Sequence, residues 1–398
     1  SMSIPDRMTP AERRAGISLA AIFALRMLGL FLILPVFASA AATLPGGDNR
    51  ALVGFALGVF GLTQAVLHIP LGMLSDRIGR KPVIIGGLLV FAVGSLMAAL
   101  ADNLWFLLFA RVVQGSGAIS AAVTALAADL TREQHRTKVM AMIGSSIGLS
   151  FALSLVMAPM LFGWVGLSGL FCLTGGLALG AVLLVKFVIP PEPERIKAAP
   201  GGLRQVLINP QLLRLNFGVF ALHALQASMW MVVPAALLHF GGLAAAEHWK
   251  AYLPALLISF VFMVPAIIVA ERRQKLRPVM LAAIVLLIVV QCGFVWAGEG
   301  LLAQIAWLTA FFVAFNILEA LQPSLTSRIA PASARGAAMG VYNTTQSLGL
   351  FLGGALGGTL AQHLGDNAVH LTAAALAFFW LLLSVTMVFP QRPAALAN

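Results

Sequence analysis

Few side chains in this sequence could do chemistry inside its long apolar runs, and those few fall at helical spacings. Glu319 is the sole acid in the interior of such a run, with Asn316 and Gln322 three residues to either side. That spacing sets the three roughly along one side of a helix. An ionisable group in hydrocarbon is costly and is a functional candidate by default, here as a carboxyl that takes up and releases a proton or contacts a substrate. A permanently neutral or hydrogen-bonded structural Glu is the alternative. A second stripe holds Asn216, His223, Gln226 and Trp230 at i, i+7, i+10 and i+14. It reads as the lining of a water-filled cavity, although a lone His in an apolar helix is more often one half of a satisfied interhelical bond. Arg26 and Arg111 are the cations within runs, and Gln114 follows Arg111 on the same face. Such an Arg points into the bundle or snorkels to the surface, and both lie too far from their run ends to snorkel comfortably. Tyr342, Asn343 and Gln346 add polar groups to a later run.

Other chemistries find no support. Cys172 and Cys292 sit in apolar runs, and no cluster has metal-ligand spacing, so no metal is expected. No paired acids, nucleophile motif or Walker loop occurs, and Gly115-x-Gly117 lies inside an apolar run, so neither an enzyme nor an ATP-driven pump is expected. No cofactor is called for.

The elements that must position these residues are membrane helices. Of 398 residues, 60% are hydrophobic and only 10% charged, and the mean hydropathy is +0.96. A span needs roughly 20 apolar residues. Twelve runs qualify: 16–42, 51–72, 81–101, 104–129, 137–163, 166–189, 213–239, 248–270, 277–297, 301–329, 335–361 and 367–389. The formal net charge of +11 could suggest nucleic acid, but its distribution follows membrane topology instead. Apart from the intraspan Arg26 and Arg111, all Lys and Arg except Arg50 and Lys250 fall on one face. The positive-inside rule then makes both termini cytoplasmic in an inner membrane. The longest polar stretch, 190–212, is rich in proline early and carries charges that could form a short surface helix. It separates two six-helix halves, 1–189 and 213–398. The halves echo each other: Asp76 follows Pro70 by six residues as Glu271 follows Pro265, with Arg77 matched by Arg272.

Between the second and third spans stands Gly72-Met-Leu-Ser-Asp76-Arg77-Ile-Gly79-Arg80-Lys81, or G-x-L-x-D-R-x-G-R-K. Such a charged loop cannot lie in hydrocarbon, and Gly79 permits its tight turn. In residue types, spacing and place it resembles the signature loop of the major facilitator superfamily of secondary transporters. Arg111-Val-Val-Gln114-Gly115-Ser-Gly117 resembles the fourth-span motif of its drug-efflux-like members, and Met339-Gly-Val-Tyr-Asn343 resembles a stretch of theirs. Relatives of this kind can carry a small soluble domain after span twelve; the expectation here is a chain lacking it, either a shorter relative or part of a longer protein.

The resemblance implies an all-α membrane protein of twelve transmembrane helices in two parallel-repeated halves. It implies alternating access and proton-coupled export of small amphipathic or drug-like molecules, as a monomer in the lipid bilayer that uses the proton gradient for energy. An uncoupled facilitator, or a proton symporter of sugar- or lipid-like solutes, is the alternative. It places helices seven and ten beside a central cavity, which pairs His223 with Glu319 and adds Arg26, Arg111, Gln114, Gln226, Trp230, Asn316, Gln322, Tyr342, Asn343 and Gln346 as lining. It implies that Arg111 supports coupling or an anionic ligand, against a structural hub for helices one and four. It makes Gly72, Asp76, Arg77, Gly79, Arg80, Lys81 and Arg136 a conformational latch, with Asp76 facing the start of helix eleven near Arg335 to Ala338 and Arg80 joined to Asp129. In helix five, Gly144, Gly148 and Pro159 resemble the antiporter motif, but Ala158 replaces the glycine before the proline. Gly349, Gly353 and Gly357, with Gly354 and Gly358 alongside, give helix eleven small faces suited to close packing or sliding.

Overall fold

The computed structural model describes residues 7–193, 202–330 and 335–390, with the backbone alone at some positions within 128–145 and at 323, 327, 335 and 336. The described chain is helical. The first span is α1 (Pro10–Phe31) and α2 (Leu34–Ala41); the break precedes Pro35, which cannot continue a helical hydrogen-bond ladder. Then follow α3 (Arg50–Ile78), α4 (Arg80–Ala99), the pair α5 (Leu104–Gly115) and α6 (Ser120–Leu130), and α7 (Glu133–Phe187). Gly166, at φ +68°, breaks α7 into the fifth and sixth spans. After the short α8 (Gly202–Ile208) come α9 (Pro210–Gly241), α10 (Trp249–Arg272), α11 (Leu276–Trp296), α12 (Leu301–Ile329), α13 (Arg335–Leu364) and α14 (Asp366–Val385).

Among the described residues ten stretches are long and apolar enough to cross a membrane, one of them holding the break at Gly166. The long helix outside this set is α13, which is rich in glycine and carries Asn343, Thr344, Thr345, Gln346 and Ser347 in succession. Its tolerance of polar groups follows from its place, packed between α3 and α9. Lipid-facing positions elsewhere are large and apolar, such as Val93, Phe109, Leu183, Val261, Phe262 and Phe378, each more than half exposed. The link helix α8 carries Arg204, one of the charges that the sequence suggested would form a short helix; residues 194–201 lie outside the described residues.

The glycines of α13 sort into two faces. A Cβ on Gly349 would stand 2.5 Å from the Phe220 carbonyl of α9, and one on Gly358 2.5 Å from the Arg50 carbonyl of α3. Across that second face, a Cβ on Gly58 would stand 2.5 Å from the Phe351 carbonyl and one on Gly61 2.5 Å from that of Ser347. The first six spans and the last six thus meet along a glycine seam in which backbones touch. The seam is pinned at its Arg50 end by Arg50–Asp366 (2.8 Å) and by the Arg50 amide donating to Gln362 Oε1 (2.7 Å).

Candidate functional site

The intramembrane acid meets its expected partner. Glu319 Oε2 on α12 lies 3.1 Å from His223 Nε2 on α9. His223 is set by its own helix: its Nδ1 lies 2.9 Å from the Val219 carbonyl one turn back. A carbonyl only accepts, so Nδ1 carries a hydrogen and Nε2 is the nitrogen that gains or loses one. Gln346 of α13 approaches that same nitrogen, Nε2 to Nε2, at 2.9 Å. Phe315 covers the imidazole edge-on at 5.9 Å and reaches Phe151 of α7 at 5.6 Å. The His223 side chain is 4% exposed and that of Glu319 is 32% exposed, although Glu319 Oε2 itself is buried. Tyr342, one turn before Gln346, is buried with its hydroxyl unpartnered.

The remaining polar groups of these helices diverge. Each step of three residues rotates about 60° around a helix, so Asn316 and Gln322 flank Glu319 on opposite sides. Asn316 Nδ2 lies 3.5 Å from Ser259 of α10. Gln322 is fully buried where α12 meets Gly218 of α9 and Trp380 of α14. On α9, Gln226 is buried, and Trp230 is buried edge-on against Tyr252 of α10 at 5.7 Å. Asn343 is half-buried on α13.

The two intraspan arginines have other partners. Arg26 Nη1 donates to Ser120 Oγ and Nη2 to the Gly117 carbonyl, each at 3.1 Å. It thereby satisfies backbone released by the break between α5 and α6. Arg111 donates from Nε to Ala56 O (3.3 Å), from Nη2 to Leu57 O (3.1 Å) and from Nη1 to Gln114 Oε1 (3.1 Å). Gln114 continues to Ser95 (2.9 Å), and the rings of Phe60 and Phe37 lie at 4.9 and 5.6 Å from the Arg111 guanidinium. Arg111 is 2% exposed and braces the back of α3, whose front carries the glycine seam. The hub it forms joins helix two to helix four, where the sequence suggested helices one and four.

In the signature loop Arg80 pairs with Asp129 at the end of α6 (3.1 Å), as expected, and with Asp76 one turn earlier. Gly79, at φ +109°, makes the turn, and Gly72 packs against Ala121 of α6. Arg77 is exposed, and Lys81 Nζ donates to the Ile189 carbonyl (2.8 Å). The side chains of Arg136 and Arg335 lie outside the described residues. One partner escaped the sequence reading: Glu192 accepts from the backbone amides of Arg80 (3.0 Å) and Lys81 (2.7 Å), capping α4. Its only sequence signal was an acid in a proline-rich segment, which read as solvated link. The second half repeats the plan with charges exchanged. Glu271 pairs with Arg328 at the end of α12 (2.7 Å), and Arg277 donates to Met387 O (3.0 Å). His68 was also missed. This intraspan histidine of α3 is 3% exposed, with Nε2 3.2 Å from Ser347 Oγ of α13.

Comparison with known proteins gives a consistent setting. The model of the Major Facilitator Superfamily matches residues 19–327 and 256–398. The inner membrane transport protein YajR of Escherichia coli (strain K12) is 45% identical over 98% of this chain and 87% of its own length. Multidrug resistance protein MdtH of Aeromonas salmonicida is 29% identical over 94% of this chain and 92% of its own. The crystal structure of the human organic anion transporter MFSD10 superposes with a TM-score of 0.70 at 18% identity, over 94% of this chain and 100% of that one.

Proposed function

The chain belongs to the major facilitator superfamily, and from that premise we propose that it exports small amphipathic or drug-like molecules in exchange for protons. It is a multi-pass membrane transporter and not an enzyme. The observation that carries the proton-coupled reading is the Glu319–His223 pair with Gln346 at the same imidazole nitrogen. A partly exposed carboxyl beside an imidazole is a group that can load and release a proton without leaving the membrane interior. Resemblance to a protein named for multidrug resistance supports export of drug-like compounds.

In this reading the halves 1–189 and 213–398 rock about the pair, joined by the 190–212 link, with both termini cytoplasmic. On the same reading, the seam from Arg50 to His68 is the contact that would close the periplasmic side. Protonation and substrate binding bias one two-state equilibrium, and that shared bias couples them. The signature-loop pair Arg80–Asp129 and the Glu192 cap hold the first half as a unit, and Glu271–Arg328 does so in the second. A monomer suffices, with no cofactor besides the proton gradient. Ala158, fully buried at the position of the antiporter-motif glycine, favours the uncoupled facilitator as the second reading.

One experiment separates them. Purified protein is placed in vesicles holding a pH-sensitive dye, and a substrate gradient is applied. The parent should move protons with substrate. Glu319→Gln keeps the shape of the protonated acid but cannot exchange a proton, so it should bind substrate and lose proton movement. Proton flux at the parent rate in Glu319→Gln would exclude Glu319 as the coupling group. No proton flux in the parent would leave the facilitator reading.

A further inference from the structure

Gln346 and Ser347 are consecutive on α13, and each touches a histidine of a different half of the chain. Gln346 Nε2 is 2.9 Å from His223 Nε2 on α9; Ser347 Oγ is 3.2 Å from His68 Nε2 on α3. His223 shares its nitrogen with Glu319, whereas His68 stands at the end of the glycine seam away from Arg50, two turns from Gly61. Both histidines are 3% exposed, and Ser347 is 7% exposed.

The hydrogen-bond chemistry of an amide makes this arrangement informative. His223 Nδ1 donates to Val219, so Nε2 alone changes. As a bare lone pair, Nε2 accepts from the Gln346 amide nitrogen, which is the orientation present. Once Nε2 carries a hydrogen directed at the Glu319 carboxylate, the same amide nitrogen would set donor against donor. The amide must then turn its oxygen inward or withdraw. Gln346 therefore has one arrangement for each proton state of the pair. The titratable or charged groups facing this cluster are Glu319 from α12, Tyr342 from α13 and His68 from α3, with Arg26 of α1 close enough to act on His68 electrostatically. The neighbouring α2 carries no titratable residue, and α14 brings Trp380 against α9.

We propose that Gln346 is a positioning residue that reads the proton state of the His223–Glu319 pair and passes it through α13 to the Ser347–His68 contact, and so to the glycine seam. This rests on the proton-coupled reading above and adds the route by which a proton in the second half moves the first.

The test measures the seam directly. Spin labels go on cysteines replacing the exposed Asp48 and His363, which flank the Arg50 end of the seam, with Cys172 and Cys292 changed to serine. Distances in lipid are recorded across the pH range in which imidazole titrates. The ratio of separated to closed seams should change about tenfold in the parent, within the usual span of coupling between sites. In Gln346→Met, of similar volume, the change should fall below about twofold, and Ser347→Ala should shrink it likewise. Gln346→Asn, too short to reach His223, provides the same reading if the methionine variant does not fold. A parent-sized response in a folded Gln346 variant overturns the proposal. Glu319→Gln separates the two levels. If it abolishes the response while Gln346→Met keeps it, the proton site stands and the role of Gln346 falls. If Glu319→Gln keeps the response, the proton-site reading falls as well.

Discussion

Both halves of this transporter bury ionisable side chains in spans, but they treat them in opposite ways. In the first half, Arg26 and Arg111 are almost wholly inaccessible and direct their guanidinium hydrogens to backbone carbonyls and neutral side chains. In the second, Glu319 retains 32% side-chain exposure and its partner is a histidine whose free nitrogen has two proton states. A buried charge ringed by fixed acceptors has one stable arrangement and works as scaffolding. A partly exposed charge with a titratable partner has two, and can work as a switch. Position in the membrane does not distinguish the two cases; the neighbours do.

Breaking the scaffold should have the largest effect. Arg111→Leu leaves Gln114 without its guanidinium partner and removes two bonds to the carbonyls of α3. We expect a loss of about 3–5 kcal/mol, summed from charge-assisted bonds of roughly 1.5–3 kcal/mol each with partial compensation. Thermal unfolding in detergent should show it, with transport falling in step with folded protein. A stable Arg111→Leu protein that binds substrate but moves no protons would erase the contrast and make Arg111 a coupling residue.

Glu319→Gln should do the reverse, shifting stability by less than about 1 kcal/mol, as for a swap that preserves shape at a partly exposed site. Proton flux in the vesicle assay should nonetheless be lost. Unfolding at a much lower temperature than the parent would instead mark Glu319 as scaffolding.

The pair Arg80–Asp129 tests a third setting, at the membrane surface, with side chains 11% and 33% exposed. Single neutralisations should each impair transport and the charge swap should partly restore it. The coupling energy in a double-mutant cycle should be about 0.5–1 kcal/mol. Simple additivity would mean that the two residues act apart.

The smallest effect on transport concerns Glu12. It completes a capping box with Thr9 at the start of α1 and accepts from Arg132 at 3.0 Å. Glu12→Ala should lower stability by about 1–2 kcal/mol, the usual cost of a lost cap, with proton coupling intact. A change in the pH dependence of transport would place this terminus in the switch.

Much of the molecule could be read before folding. The helical spans and the loop pairing of Arg80 with Asp129 follow from hydropathy and a motif of characteristic spacing. Those signals are local: hydrocarbon thickness sets span length, and charge cannot stay in lipid. Glu319 stood out for the same reason, as the lone acid inside a span.

Only the tertiary structure decided what each polar face meets. Helical spacing orders residues around one axis but leaves the azimuth of that axis open, so Asn316 turns to α10 and Gln322 to α9 and α14 while Glu319 between them finds His223. The sequence set Gly349, Gly353 and Gly357 of α13 apart from Gly354 and Gly358, but only packing decided that the first set meets α9 and the second α3. Glu192 became a cap and His68 a contact across the seam because segments more than a hundred residues apart were brought together. No periodicity within one helix encodes such a meeting. It is set by how the helices share a core, where close backbone approach and the hydrogen bonds of buried polar groups must be satisfied at once.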